Sequence, residues 1–384
     1  MPVLESMKQL LLILALGALL SCNPGDSTKN LPNSYTLEIK DSIQVDYLGK
    51  LNVFDYDPES GLYLGIDQNL NHVMLFKEQG GTDHQYDYKN DGPNAITKAI
   101  SNSFLEGKHT IMDFQNGLIQ YDQNGNISHK INIPSEYFLF NYSNFSAYKL
   151  GDKYAYIRPE RDLSDYSNTS AFNQRIYKSP ILEVFDPETG EIYNTMSIPP
   201  GTIYEDGNFY HKLFQNVKKS GEKWYLFFLA ERKYYVYEEK GNELIYSKTI
   251  DLNITDAVDI IGVPIENPEL INQQAEPNIF GKIEGLYPLS EHTVVIYTKG
   301  VKKEISNRYD PQKTEEWMGF INGIPRYAAI LDKNDSLIQK DIQLPQGLLF
   351  NGVSNDNDEI IALKNQDYFG EEDKVTFYKL QIKN

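Results

Sequence analysis

One local pattern recurs along this chain and limits its possible folds more than any other feature. An alternating apolar run meets a turn rich in Asp, Asn and Gly, and a second alternating run leaves it. Residues 117–134 read GLIQYDQNGNISHKINIP, 182–199 LEVFDPETGEIYNTMSIP, 234–252 YYVYEEKGNELIYSKTIDL and 328–345 AAILDKNDSLIQKDIQLP. Weaker copies lie at 72–88 and 375–382. Side chains alternate faces along a strand, so period-two apolarity on both sides of such turns specifies antiparallel hairpins. The last large apolar or aromatic residue before each turn is Phe76, Tyr121, Phe185, Tyr237, Leu331 or Tyr378. Successive markers are 45, 64, 52, 94 and 47 residues apart. Blades of a β-propeller run about 40–50 residues each.

Further strand-like segments at 62–66, 153–157, 224–229, 293–298 and 359–363 precede the hairpins, where the inner strands of a blade belong. No window of helical length carries a 3.6-residue apolar period. Residues 93–104 and 268–275 come nearest, each enough for a turn or two. The chain therefore reads as all-β, a β-propeller of six blades. Seven blades follow if the long interval 252–328 holds one with a degenerate hairpin, but Pro264, Pro268, Pro277 and Pro288 mark it mostly as an inserted loop. A second insertion spans 158–180. The final hairpin lacks its outer strand, and residues 35–39 (YTLEI) have the character to supply it. Pairing the first strand with the last blade would hide two edges that otherwise invite aggregation. Residues 35–384 are read as a single propeller domain.

Composition narrows the partners. Hydrophobic residues make up 40% and charged residues 23% of the chain, the range of a folded protein. A net charge of −18 repels phosphate backbones, so nucleic acid is not an expected partner. The 28 tyrosines suit strands and half-buried surfaces. There is a single cysteine, Cys22, which excludes disulfides within the chain and Cys-type zinc sites.

That cysteine ends a targeting-like segment. Residues 10–20 (LLLILALGALL) follow Lys8. The run is shorter than the roughly 17–25 apolar residues of a membrane span and has the length of a signal-peptide core. Leu19-Leu20-Ser21-Cys22 resembles the lipobox of bacterial lipoproteins. The resemblance implies a signal peptide at 1–21, cut before Cys22, and a lipidated Cys22 that holds the protein to a membrane of the cell envelope. Residues 22–34, with Pro24, Gly25 and Pro32, then form a flexible tether. A plain secretory signal with an incidental cysteine, or an uncleaved anchor, is the alternative. Together with the repeated hairpins, the chain resembles envelope lipoproteins carrying six-bladed propellers of the TolB-like or NHL-like kind. That resemblance covers residues 35–384 and bears on fold, since one superfold hosts many activities.

The usual catalytic signatures are missing: no HExxH, no GxSxG, no GxxxxGK[ST] loop and no sialidase-type Asp-box. The histidines are scattered without metal-ligand spacing, so neither a metal nor a cofactor is expected. Residues 55–61 (DYDPESG) depart from the EF-hand pattern, with glycine at the seventh position and Ile66 at the twelfth. They read as a hairpin turn, as does the 355–358 run NDND. Two groups remain as ligand-binding candidates. Arg158, Arg161 and Arg175 concentrate in one insertion, and their guanidinium forks would suit an anionic ligand over the ring's opening. Pairing with Glu160, Asp162 and Asp165 is the competing use. Tyr309 and Trp317, with Trp224, could form a sugar-stacking platform, against burial in the blades. The expected function is a non-enzymatic binding or scaffold module that presents loops at one ring face to a protein, peptide or glycan. A glycan-acting hydrolase or lyase is the alternative, because carboxylates on separate blades leave no local motif. A purely structural envelope component is the third reading.

Overall fold

Each of the six marker residues lies in the third strand of its own four-stranded antiparallel sheet. These sheets belong to a computed structural model that describes residues 34–384 apart from 70, 90, 93–94, 135–142, 211–212, 214 and 274–278. The signal-like segment, Cys22 and nearly all of the tether lie outside the described residues. Blade 1 comprises Asn52–Asp57, Leu62–Asp67, His72–Phe76 and Thr82–Asp87. Blade 2 comprises Ala99–Leu105, Lys108–Asp113, Gly117–Tyr121 and Ile127–Ile131. Blade 3 comprises Tyr148–Leu150, Lys153–Ile157, Leu182–Phe185 and Ile192–Thr195. Blade 4 comprises Gln215–Ser220, Lys223–Phe228, Lys233–Lys240 and Glu243–Asp251. Blade 5 comprises Ile279–Pro288, His292–Val301, Arg326–Asp332 and Leu337–Gln343. Blade 6 comprises Leu348–Ser354, Ile360–Lys364 and Val375–Lys383, and takes its fourth strand, Thr36–Val45, from the start of the ring.

The closing pair is antiparallel, from Thr36 opposite Lys383 to Val45 opposite Val375, with one irregularity between Ile39 and Asp41. The strand is thus longer than the 35–39 segment that the sequence marks. The buried Lys379 ammonium ties the joint across three elements. It reaches Glu78 of blade 1 at 2.5 Å, Asp41 of the closing strand at 3.3 Å and Glu359 at 3.6 Å. This acidic surround holds the ammonium above the ordinary lysine range against the opposing effect of burial.

The core is divided among the blade interfaces. Leu64 and Val73 meet Ile111 and Ile119 between blades 1 and 2, and Met112 and Leu118 meet Tyr154 and Tyr156 between blades 2 and 3. Leu182 and Val184 meet Leu226 and Tyr235 between blades 3 and 4, and Tyr234 and Val236 meet Val295 and Ala329 between blades 4 and 5. Val294 and Ile330 meet Ile360 and Leu380 between blades 5 and 6. Phe377 completes the circle against blade 1, stacking on Phe76 at 5.6 Å. Neighbouring residues such as Val294 and Val295 therefore serve opposite interfaces. A blade is buried on both faces, which is why its second and third strands read as continuous apolar runs instead of simple alternation.

The outer turns show why the hairpin motif has its composition. Asp122 Oδ1 accepts the backbone N–H groups of Asn124 and Asn126, at 2.9 and 2.8 Å, and Gly125 takes φ +75°. The pattern is a three-residue hairpin loop with a left-handed third residue. In blade 5, Asp332 plays the same part toward Asn334 and Ser336, with Asp335 at φ +65° in place of the glycine.

The long 252–328 interval contains a connector, the first two strands of blade 5 and a helical insertion, so there is no seventh blade among the described residues. Of residues 93–104, which the sequence marks for a helical turn or two, 99–104 lie instead in the innermost strand of blade 2, Ala99–Leu105. There, contacts with Lys108–Asp113 override a weak local helical tendency. Pro268–Gln273 does form a short 3₁₀ helix. Among the described residues, the longest helices, Thr169–Ile176 and Thr314–Asn322, lie inside insertions. No helix among the described residues is long and apolar enough to cross a membrane.

Candidate functional site

Connectivity makes the two ends of the ring unlike. In an antiparallel meander, the turns after first and third strands share one end, and the connections after second and fourth strands share the other. The first end carries only short turns, such as 106–107, 151–152, 221–222 and 241–242. The other end carries the long connections, four of which, 158–181, 196–214, 252–278 and 302–325, belong to or join blades 3, 4 and 5. The chain enters the ring at the short-turn end, where the backbone of Tyr35 is clasped by the Gln339 side chain at 2.8 and 3.0 Å.

The 158–181 insertion is organised by its arginines. Arg175 donates to Asp165 through Nε (3.0 Å) and a terminal nitrogen (2.9 Å), to Glu160 at 2.7 Å and to the carbonyl of Asp162 at 2.8 Å. Its guanidinium also lies 5.2 Å from the Phe172 ring. Arg158 pairs with Glu160, whose side chain is buried, and donates to the Pro180 carbonyl at 2.8 Å. Arg161 grips Glu183 of blade 3 through both terminal nitrogens, one at 2.8 Å, and Glu183 also accepts from Tyr156 at 2.5 Å. The competing use foreseen for these arginines is therefore present, with Glu183 added and Asp162 taking part through its backbone. Their forks hold the insertion to blade 3.

The 302–325 insertion brings Tyr309 and Trp317 together. Tyr309 stacks on Phe320 at 4.1 Å, and Trp317 tilts against the same ring at 5.5 Å. Tyr309 and Phe320 line a cavity of about 630 Å³ with Ile305 and Tyr327. Ile305 and Met318 on this insertion are exposed. Trp224 takes no part: it is buried within blade 4 and donates to Glu239 at 2.7 Å.

The ring's axis holds a second cavity, of about 400 Å³, lined by residues from the first strands. Its wall is rich in amides: Asn52, Asn102, Asn144, Asn216 and Asn351 come from or just precede the first strands of five blades. Blade 5 contributes Glu284, held by Arg326 at 2.5 Å and Lys282 at 3.5 Å. Lys218 projects from blade 4 toward blade 6, where a Cβ on Gly352 would lie 3.2 Å from its Cε. Asp55 of blade 1 faces it electrostatically and accepts backbone N–H groups from Phe104 (2.7 Å) and Tyr56 (2.9 Å). Burial pushes Asp55 up and Lys218 down, and each is partly offset by the other's charge.

No protein-family model matches this chain, and no curated protein matches its sequence. Its fold does match solved structures. A member of the DUF4221 family from Bacteroides vulgatus superposes with a TM-score of 0.61 at 12% identity, covering 92% of this chain and 99% of that one. A Bacteroides fragilis protein whose name designates it as exported superposes at 0.52 with 13% identity, covering 91% and 95%. At such identities the likeness concerns fold.

Sequence reading missed the axial site. Its signal is one Asn in or beside the first strand of most blades, visible only after the blades are aligned on their third strands. It also missed His109, which lies buried between Tyr86 (2.5 Å from Nδ1) and Tyr88 (3.2 Å from Nε2). Burial lowers its pKa to about 3, so the ring is neutral. Of the 55–61 segment, 55–57 end the first strand of blade 1 and 58–61 form the turn, with Asp57 accepting from Ser60; the 355–358 run zips blades together, Asp356 accepting from Tyr56 and Asp358 from Ser290.

Proposed function

We propose that this protein is an exported, lipid-anchored binding module, without catalysis of its own, that docks a protein, peptide or glycan partner on the loop-bearing face over blades 3–5. The observation that carries this reading is the segregation of the long connections to one end of the ring, with four of them on blades 3–5. Scaffolds that bind through loops keep those loops on a rigid frame, and here the arginine clasps and the aromatic cluster supply that rigidity. Exposed Met318 and Ile305, with the half-buried Trp317, give the face the apolar and aromatic character of contact surfaces. A lipid on Cys22 would be linked through the tether to Tyr35, at the short-turn end of the ring. The export signal in the sequence and the exported designation of the Bacteroides fragilis neighbour both support this compartment.

The test is position-resolved crosslinking in intact cells. A photoreactive residue at Met318 or Tyr166, on the loop-bearing face, should yield a discrete adduct. The same residue at Gln123 or Glu188, on short turns, should not. Equal adducts from both ends, or none from the loop-bearing end, would overturn the reading.

A further inference from the structure

We infer that the axial cavity is a binding site for a small hydroxylated monocarboxylate of the acidic-sugar class, with the Lys218 ammonium receiving the carboxylate and the surrounding asparagines receiving the hydroxyls. This goes beyond the loop-face reading and does not depend on it. A partner could dock on the loops while the axis stays empty, or the reverse.

Lys218 sets the charge. Among the described residues its ammonium has no hydrogen-bond or ion-pair partner, although Asp55 is near enough to act on it electrostatically. Both oxygens of Asp55 are engaged by backbone N–H groups. Glu284, the cavity's other acid, is held by Arg326 and Lys282. The cavity thus offers one positive centre whose hydrogen-bonding capacity is open, since an ammonium carries three donors. Gly352 makes room for it: a side chain there would meet the lysine stem, and the backbone stands at φ +76°. Lys218 is half-buried in the cavity wall, and partial desolvation of an ammonium without a close acceptor is costly. An anionic ligand would relieve that cost.

The rest of the wall selects what the anion is attached to. Asn144 is tied at both ends to the Val217 backbone, at 3.2 Å each, Asn102 accepts from Tyr88, and Asn351 donates to the Val53 carbonyl at 3.3 Å. An amide oxygen has two lone pairs and an amide nitrogen two hydrogens, so Asn102 and Asn351 keep donor and acceptor capacity that matches a hydroxyl. Phe54, half-buried in the same wall, provides an apolar face for the C–H side of a ring. About 400 Å³ falls within the roughly 300–1,000 Å³ of small-molecule sites. A doubly charged phosphate fits less well, because the single ammonium is opposed by Asp55 and by the chain's overall charge of −18.

Titration calorimetry on the detergent-solubilised full chain tests the inference with D-galacturonate, D-glucuronate, the neutral D-galactose and acetate. At least one uronate should bind ten-fold or more tightly than both galactose and acetate. Lys218→Met, checked for an unchanged unfolding midpoint, should weaken that uronate ten-fold or more, while Lys302→Met on the surface should not. The wild-type comparison stands even if Lys218→Met fails to fold. No binding of either uronate, galactose binding as tightly, or a folded Lys218→Met that retains full affinity would each overturn the site.

Discussion

Replacing Ile43 by alanine should loosen the ring at its closure. Ile43 lies on the closing strand opposite Phe377, is 1% exposed, and packs in the cluster joining blades 6 and 1. Truncating such a side chain to alanine costs about 2–5 kcal/mol. A domain of roughly 350 residues unfolds with an entropy near 0.7 kcal/mol/K, from about 2.1 cal/mol/K per residue. The expected fall in Tm is therefore about 3–7 °C. Ile39 supplies the control. It sits on the same strand, opposite Leu380, but is 40% exposed. Ile39→Ala should change stability by about 0.5 kcal/mol or less, below 1 °C. Thermal unfolding followed by circular dichroism reads both variants. Equal shifts, or an Ile43→Ala melt within 1 °C of wild type, would refute the claim that this strand closes the ring through its buried face. Removing residues 36–45 altogether deletes Leu37, Ile43 and Val45, at about 1.5–3 kcal/mol each. That sum approaches the whole stability of an ordinary domain, and the bared edge of Val375–Lys383 should appear as oligomers in size-exclusion chromatography.

Cys22→Ser should move the protein from the membrane fraction to the soluble fraction and abolish acyl labelling; unchanged partition would refute lipid anchoring. Arg161→Met strands the buried Glu183 carboxylate and should cost about 3–5 kcal/mol, with the Arg161→Met/Glu183→Met double variant recovering most of it in urea unfolding. His109 gives a pH signature. Its folded pKa lies near 3, below the unfolded value near 6.5, so its contribution to stability is complete above pH 6.5. As pH falls from 6.5 toward 3, only the unfolded chain takes up the proton, and stability drops by about 1.4 kcal/mol per unit. His109→Gln should remove that slope from urea midpoints measured between pH 7 and 4.5; identical slopes would refute the assignment.

The ring was legible because its hairpins repeat a chemical necessity. A turn that needs a left-handed residue and a carboxylate to cap its N–H groups writes Asp-x-x-Gly at 122–125 and Asp-x-x-x-Gly at 186–190, and Tyr121 and Phe185 mark the strand before each. The long interval after Tyr237 was harder. Its first blade 5 strand, Ile279–Pro288, is joined to the next by residues 289–291, with no Asp-Gly signature. The α-helices among the described residues escaped notice because each is shorter than the window over which a helical period can be read. Among site residues, Tyr309 and Trp317 do meet, through Phe320, whereas Trp224 cannot join them because it fills blade 4. The arginine insertion showed its charges in sequence, but not that Glu183, on the strand beyond it, would take the fork of Arg161. Lys218 gave no local sign, since its significance comes from blades 1 and 6 standing across the axis.

The pairing of Thr36–Val45 with Val375–Lys383 also dictates an order of events. Glu38 and Lys383, which meet at 2.6 Å, stand 345 positions apart. During synthesis the amino-terminal strand emerges first and must wait, unpaired, until Val375–Lys383 arrives. Contacts this remote in sequence form slowly, so the final blade is the rate-setting assembly step, and the waiting strand is the segment most exposed to proteases and to pairing with other chains. Loss of even the last nine residues would leave every other blade's sequence intact and still deny the ring its clasp.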